Sequence, residues 1–324
     1  MNKLTLMLTL CTLIGCSTRY SVDNTSKSKS SANAEADTVV EAYSLFGRLL
    51  TRPAFSPQRR NELDAQLAVA KNNFDNNPND PENIIWLGRR TAYLSRYREA
   101  IDIYSRGIEK FPTHFKLYRH RGHRYITIRE FDKAIGDLEK AASLIHGVPD
   151  EVEQDGLPNK YNIPTSTSHT NIWYHLGLAY YLKEDFENAR RCYLECLTLC
   201  KNDDILCATT DWLYMTCRRV GLHDEAKTYL EPINVDMTIY EDSAYHRRLL
   251  MYKGELQPSA LLDTSGANDL TIATQGYGVG NWYFYNGEIE KAKQIFEQVI
   301  TGSNWAAFGY IAAEAELYRM SKKK

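Results

Sequence analysis

Small and large apolar residues recur along this chain at a fixed offset. Gly88 stands twelve residues before Ala100, and the same interval separates Gly122 from Ala134, Gly177 from Ala189, and Gly280 from Ala292. Gly88 to Gly122 is 34 residues, as are Ala100 to Ala134 and Pro78 to Pro112. Tyr104, Tyr193 and Phe296 each follow one of these alanines by four positions. A glycine inside a helix costs about 1 kcal/mol relative to alanine. Four glycines in one register make sense where neighbouring backbones approach closely. The alanines leave room on the facing helix, and the large residues fill the holes beside them. A self-similar period of this length marks a stacked array.

These positions resemble the tetratricopeptide repeat. The fullest copy is 170–201, where Trp173, Leu176, Gly177, Tyr180, Ala189 and Tyr193 match the pattern. A first unit matches at Leu87, Gly88, Ala100, Tyr104 and Pro112, and a second at Gly122, Tyr125, Ala134 and Ala141. The resemblance implies units of helix A, tight turn and helix B. It implies an all-α fold, a right-handed helical-hairpin repeat solenoid in which each unit hides its apolar face against the next.

Units one and two occupy 81–146, and units three to six occupy 170–302. Ala226 and Ala260 carry the fourth and fifth units, but Tyr214 and Arg248 stand where helix A has its glycine. Residues 37–80 read as a degenerate repeat, with one helix near 38–50 and a second over 57–80 closed by Pro78. Residues 303–324 read as a capping helix and a basic tail. Gly122 to Gly177 is 55 residues, so 21 are inserted, roughly over 147–169. This insertion is acidic at first, then rich in Pro, Ser and Thr. Loops of that length inside compact domains are uncommon and are often functional. A flap over the groove and a solvated surface loop both fit.

The resemblance also implies that helix A lines a concave surface where extended peptides or partner helices bind. Helical spacing then selects the inward side chains. They are Arg89 in unit one, Arg119 and His123 with His120 beside them in unit two, and Tyr174 and Tyr181 in unit three. Arg218 follows in unit four, Tyr245 and Tyr252 in unit five, and Tyr277 in unit six. The groove is expected to be basic at one end and aromatic further along. Arginine and tyrosine are common binding anchors, and an acidic or carboxylate-ended peptide suits the basic end.

The N-terminus has a different pattern. Leu4 to Ile14 is apolar but too short to span a bilayer comfortably, and it ends in Leu13-Ile14-Gly15-Cys16. This resembles a bacterial lipobox, with residues 1–15 as signal peptide. The resemblance implies lipid attachment at Cys16. Each buried methylene adds about 0.8 kcal/mol, and stable anchoring needs more than one chain. Ser17 after the cysteine points to the outer membrane. Residues 16–36 are polar and cannot bury a core, so they read as a flexible tether.

A net charge of −2 argues against a dedicated nucleic-acid binder. Charge is nevertheless uneven, with twelve Lys/Arg against six Asp/Glu between Glu82 and Lys133. His120 and His123 lie one helical turn apart and could share a metal, yet spacing fixes no third ligand and HExxH is absent. Cys192, Cys196 and Cys200 recur every four residues, with Cys207 and Cys217 beyond. They lack paired zinc spacing and read as core residues, their redox state left open. The GYGVG run at 276–280 reads as close helix packing and not as a phosphate loop. No catalytic residue, resident metal or cofactor is predicted. The expected function is an envelope lipoprotein acting as an interaction scaffold or adaptor for a protein or peptide partner. The alternative is a metal-dependent or glycan-handling protein using the groove and the 147–169 loop.

Overall fold

The computed structural model describes residues 39–241, 243–262 and 269–322. Cys16, the signal peptide and the tether lie outside them. Among the described residues, no helix is long and apolar enough to cross a membrane.

The chain opens with a two-stranded antiparallel hairpin, β1 (Val40–Tyr43) and β2 (Leu49–Thr51). This corrects the helix expected near 38–50. Gly47 takes a left-handed conformation (φ 78°) in the connecting turn, and Ser44 N–H donates to the Arg48 carbonyl across it. Glu41 is buried within the hairpin. It accepts from Arg52 Nε at 2.7 Å and from the Arg98 backbone N–H at 3.0 Å. Tertiary partners for Glu41 thus favour the strand over local helix propensity.

Helix α1 (Pro57–Asn76) follows, started by the Ser56 cap and a first-position proline. Six hairpins come next: α2 (Pro81–Tyr93) with α3 (Tyr97–Lys110), α4 (Phe115–Thr127) with α5 (Phe131–Leu144), and α6 (Ser168–Leu182) with α7 (Phe186–Leu199). The later ones are α8 (Asp203–Arg219) with α9 (His223–Leu230), α10 (Ala244–Lys253) with the short α11 (Pro258–Leu262), and α12 (Asp269–Tyr285) with α13 (Ile289–Val299). A last helix, α14 (Phe308–Lys322), ends the fold. The architecture is an all-α helical-repeat solenoid with a small β-hairpin at its start.

Packing explains the glycine register. A Cβ added at Gly88 would lie 2.3 Å from the Tyr104 ring, and one at Gly177 would lie 2.8 Å from the Tyr193 ring. The turns between paired helices share a second signature. Each passes through one residue of positive φ: Ser95, Arg129, Glu184, Gly221, Gly254 and Gly287. In four units that residue stands seven places after the helix-A glycine. The five cysteines from Cys192 to Cys217 are free thiols, all but Cys200 buried in the core.

The solenoid is not an open trough. Nine consecutive residues of α14, Gly309 to Leu317, are buried, so this helix is covered on every side and is not a one-faced cap. Arg129 Nη2 reaches Glu314 at 2.8 Å and the Trp305 carbonyl at 2.9 Å, bringing the turn of unit two against the C-terminal segment. Arg219 pairs with Glu316, and Arg319 donates to the Leu182 carbonyl at 3.0 Å. The hairpin completes the closure. Leu45 N–H donates to Glu314, and Trp305 Nε1 donates to the Thr51 carbonyl at 2.8 Å.

Candidate binding chamber

The inner face of the first three units carries a half-open cavity of about 790 Å³. That size falls within the range of ligand pockets. Helices α2, α4 and α6 supply its floor, α8 and α10 its far wall, and the segment 153–166 its roof. Six of the ten side chains expected in the groove line it: Arg89, Arg119, His120, His123, Tyr174 and Tyr245. The other four lie elsewhere. Tyr181 and Tyr277 are fully buried and share a hydroxyl hydrogen bond of 2.8 Å between units three and six. Tyr252 stacks on Tyr214 with centroids 4.5 Å apart. Arg218 lies over the Tyr285 ring and donates to Asn286 at 2.8 Å.

The basic end of the chamber is built by two helices. From α2, Arg89 lies 4.3 Å over the Trp86 ring and donates to the Gln154 carbonyl at 2.7 Å. From α4, Arg119 is buried and meets Glu153 at 3.0 Å, while its second nitrogen contacts His120 Nδ1 at 2.8 Å. Arg119 Nε has no hydrogen-bond partner. Arg124, one residue beyond His123, also lines the chamber. It stands over the Tyr97 ring with no carboxylate partner among the described residues.

Three imidazoles share this floor. His120 stacks on Tyr104 with centroids 5.8 Å apart. His123 faces His175 at 4.4 Å and Phe308 at 5.3 Å. Burial first, and then the neighbouring arginines, push all three well below the ordinary imidazole value. They are therefore neutral at pH 7 and present hydrogen-bonding nitrogens within a positive field. Among the described residues, no three His, Cys, Asp or Glu side chains come together to hold a metal ion. His120 and His123 instead turn to different aromatic neighbours.

The far wall is aromatic. Tyr174 OH lies 3.0 Å from Tyr245 OH and accepts from Trp212 Nε1 at 2.8 Å, which fixes both rings. Sequence reasoning did not place Arg124, His175 or Tyr93 among the groove residues. For Arg124 the signal was present, since it sits one turn below His120 and Arg121 on the same basic helix. Arg121 itself faces away and forms a two-pronged pair with Asp137, both contacts at 2.7 Å.

The insertion occupies the roof as a strap tied at its base. Val152 pairs with Thr167 in an antiparallel bridge, Glu153 N–H donates to the Ser166 carbonyl at 3.1 Å, and Ser168 N–H donates to the Glu151 carbonyl at 2.9 Å. Lys116 meets Glu151 at 2.7 Å, and Arg90 donates to the Gly156 carbonyl at 2.6 Å. Gly156 lies so close to Tyr93 that a Cβ there would fall 1.9 Å from its hydroxyl.

Residues 170–203 match the tetratricopeptide repeat model, so the chain carries at least one such repeat. No curated protein matches the sequence. Similar solved structures include YrrB, described as a TPR protein with an unusual peptide-binding site. It is 16% identical, with 79% of this chain and 98% of that chain covered and a TM-score of 0.41. MamA from Desulfovibrio magneticus RS-1 is 21% identical, covering 54% and 85% with a TM-score of 0.40. BtubC from P. vanneervenii is 14% identical, covering 83% and 93% with a TM-score of 0.43.

Proposed function

We propose that this chain is a lipid-anchored envelope protein that acts as an interaction scaffold, receiving an extended, acidic segment of a partner protein in its chamber. The observation that carries this reading is internal to the chain. Its own acidic segment 151–156 runs along the basic floor, held through carboxylates and backbone carbonyls by Lys116, Arg119, Arg89 and Arg90. A partner helix is a poor fit, because a helix is about 10–12 Å across with its side chains and α14 already fills the centre of the solenoid. A few extended residues suit the remaining volume. Their carboxylates would meet arginine, and their apolar side chains would meet Tyr93, Tyr174 and Tyr245. The anchor in this reading is the lipidated Cys16, with the outer membrane as location.

The test is capture of envelope proteins by full-length protein in membranes. The double variant Arg89→Ala/Arg124→Ala should lose capture while its thermal unfolding moves little, since neither side chain is fully buried. Cys16→Ser should release the protein from membranes. Unchanged capture by the arginine variant would contradict the chamber reading, and continued membrane retention would contradict the anchor.

A further inference from the structure

The strap that roofs the chamber has an unusual balance of contacts. Its grip on the floor is polar: two bonds from arginine to its backbone carbonyls and two ion pairs from its carboxylates. Its apolar side chains stay largely exposed, although Tyr161 meets the Tyr240 ring edge-on with centroids 5.6 Å apart. Val152, Leu157, Tyr161 and Ile163 are 57%, 48%, 53% and 40% exposed. Lifting the strap therefore uncovers little apolar surface. What it uncovers is Arg119, only 7% exposed beneath Glu153. With the strap down, Glu153 occupies that guanidinium.

The base of the strap shows how it could lift as a unit. Ser168 N–H meets the Glu151 carbonyl, so the segment leaves and rejoins the solenoid at neighbouring points. Within the strap, the only strand pairing among the described residues is the bridge between Val152 and Thr167. Three buried carboxylate oxygens on it, Asp150 Oδ2, Glu153 Oε2 and Asp155 Oδ2, have no hydrogen-bond partner. Burial also pushes the Asp155 carboxyl above its ordinary range. The strap thus fills the basic end with the right charge but leaves polar groups unmatched, as expected of a substitute that must be displaceable.

We propose that residues 150–156 are a built-in stand-in for the partner's segment, and that an acidic extended peptide binds by displacing them from Arg89 and Arg119. This rests on the chamber reading above and adds its regulation. The tethered strap competes at high effective concentration, so apparent affinity falls by the fraction of molecules in which it is lifted. A partner segment must then match or exceed the strap's charge and backbone contacts.

The probe is a fluorescent peptide, Asp-Glu-Val-Glu-Gln-Asp-Gly, capped at both ends and copying residues 150–156. It is titrated against full-length wild type and Glu151→Gln/Glu153→Gln, with unfolding midpoints measured in parallel. The weakened strap should raise peptide affinity at least about tenfold, and Arg89→Ala in that background should abolish the gain. A second variant replaces 152–166 with Gly-Gly-Ser and should bind as tightly or better. It stands in if the double glutamine variant does not fold. Equal affinity in wild type and folded variants, still dependent on Arg89, overturns the competition and leaves the chamber reading intact. Binding to none of them overturns the mimicry. The chamber reading is tested independently by crosslinking to its rim.

Discussion

Gly88 and Tyr104 set the fit between paired helices. Alanine is the better helix former, yet Gly88→Ala should destabilise by about 1–3 kcal/mol through overpacking, because the added carbon would fall 2.3 Å from a buried ring. Urea denaturation measures this, and a stabilised variant would show that the ring moves aside freely. The imidazoles give a second residue-scale prediction. His120 and His175 are held neutral when folded but take a proton near 6.5 when unfolded. Below that value the unfolded chain binds more protons, so stability is intact above it and is lost as pH falls. Each contributes a slope of up to about 1.4 kcal/mol per pH unit. Single variants His120→Gln and His175→Gln should each flatten the decline in urea midpoint between pH 7 and pH 5. An unchanged slope would mean these rings protonate in place. The glycine register was legible because close packing admits one residue type. The turn register was not, because Ser95, Arg129 and Glu184 take the left-handed conformation without being glycine.

Among elements, the hairpin β1–β2 and helix α14 decide the closure. Both were misread locally for one reason: their partners lie far away in sequence. The hairpin forms around the buried Glu41, and α14 is buried on all sides where an amphipathic cap was expected. The Arg129–Glu314 pair at 2.8 Å is the buried tie between unit two and α14. Glu314→Ala should cost about 3–5 kcal/mol by leaving Arg129 buried without its counter-charge. The double variant Arg129→Met/Glu314→Leu should cost less than that single change. A single-variant loss below about 1 kcal/mol would show the tie to be solvated, and closure would then rest on apolar packing alone.

For the whole molecule, the repeat period made the solenoid legible from sequence, including the placement of an insertion between units two and three. The period could not show that the ends meet. Closure converts a long groove into a chamber, retains the basic end near Arg119 and withdraws Tyr181 and Tyr277 into the core. On the proposal made above, this chamber is where a partner's segment binds. The most direct measurement places a photocrosslinking amino acid at Leu270, an exposed residue on the chamber rim, and a second at Lys140, exposed on α5. After irradiation in cells, captured proteins are identified by mass spectrometry. A discrete adduct is expected from Leu270, absent from Lys140 and lost with Arg89→Ala/Arg124→Ala. An adduct that forms equally from both positions, or persists without the two arginines, would contradict it.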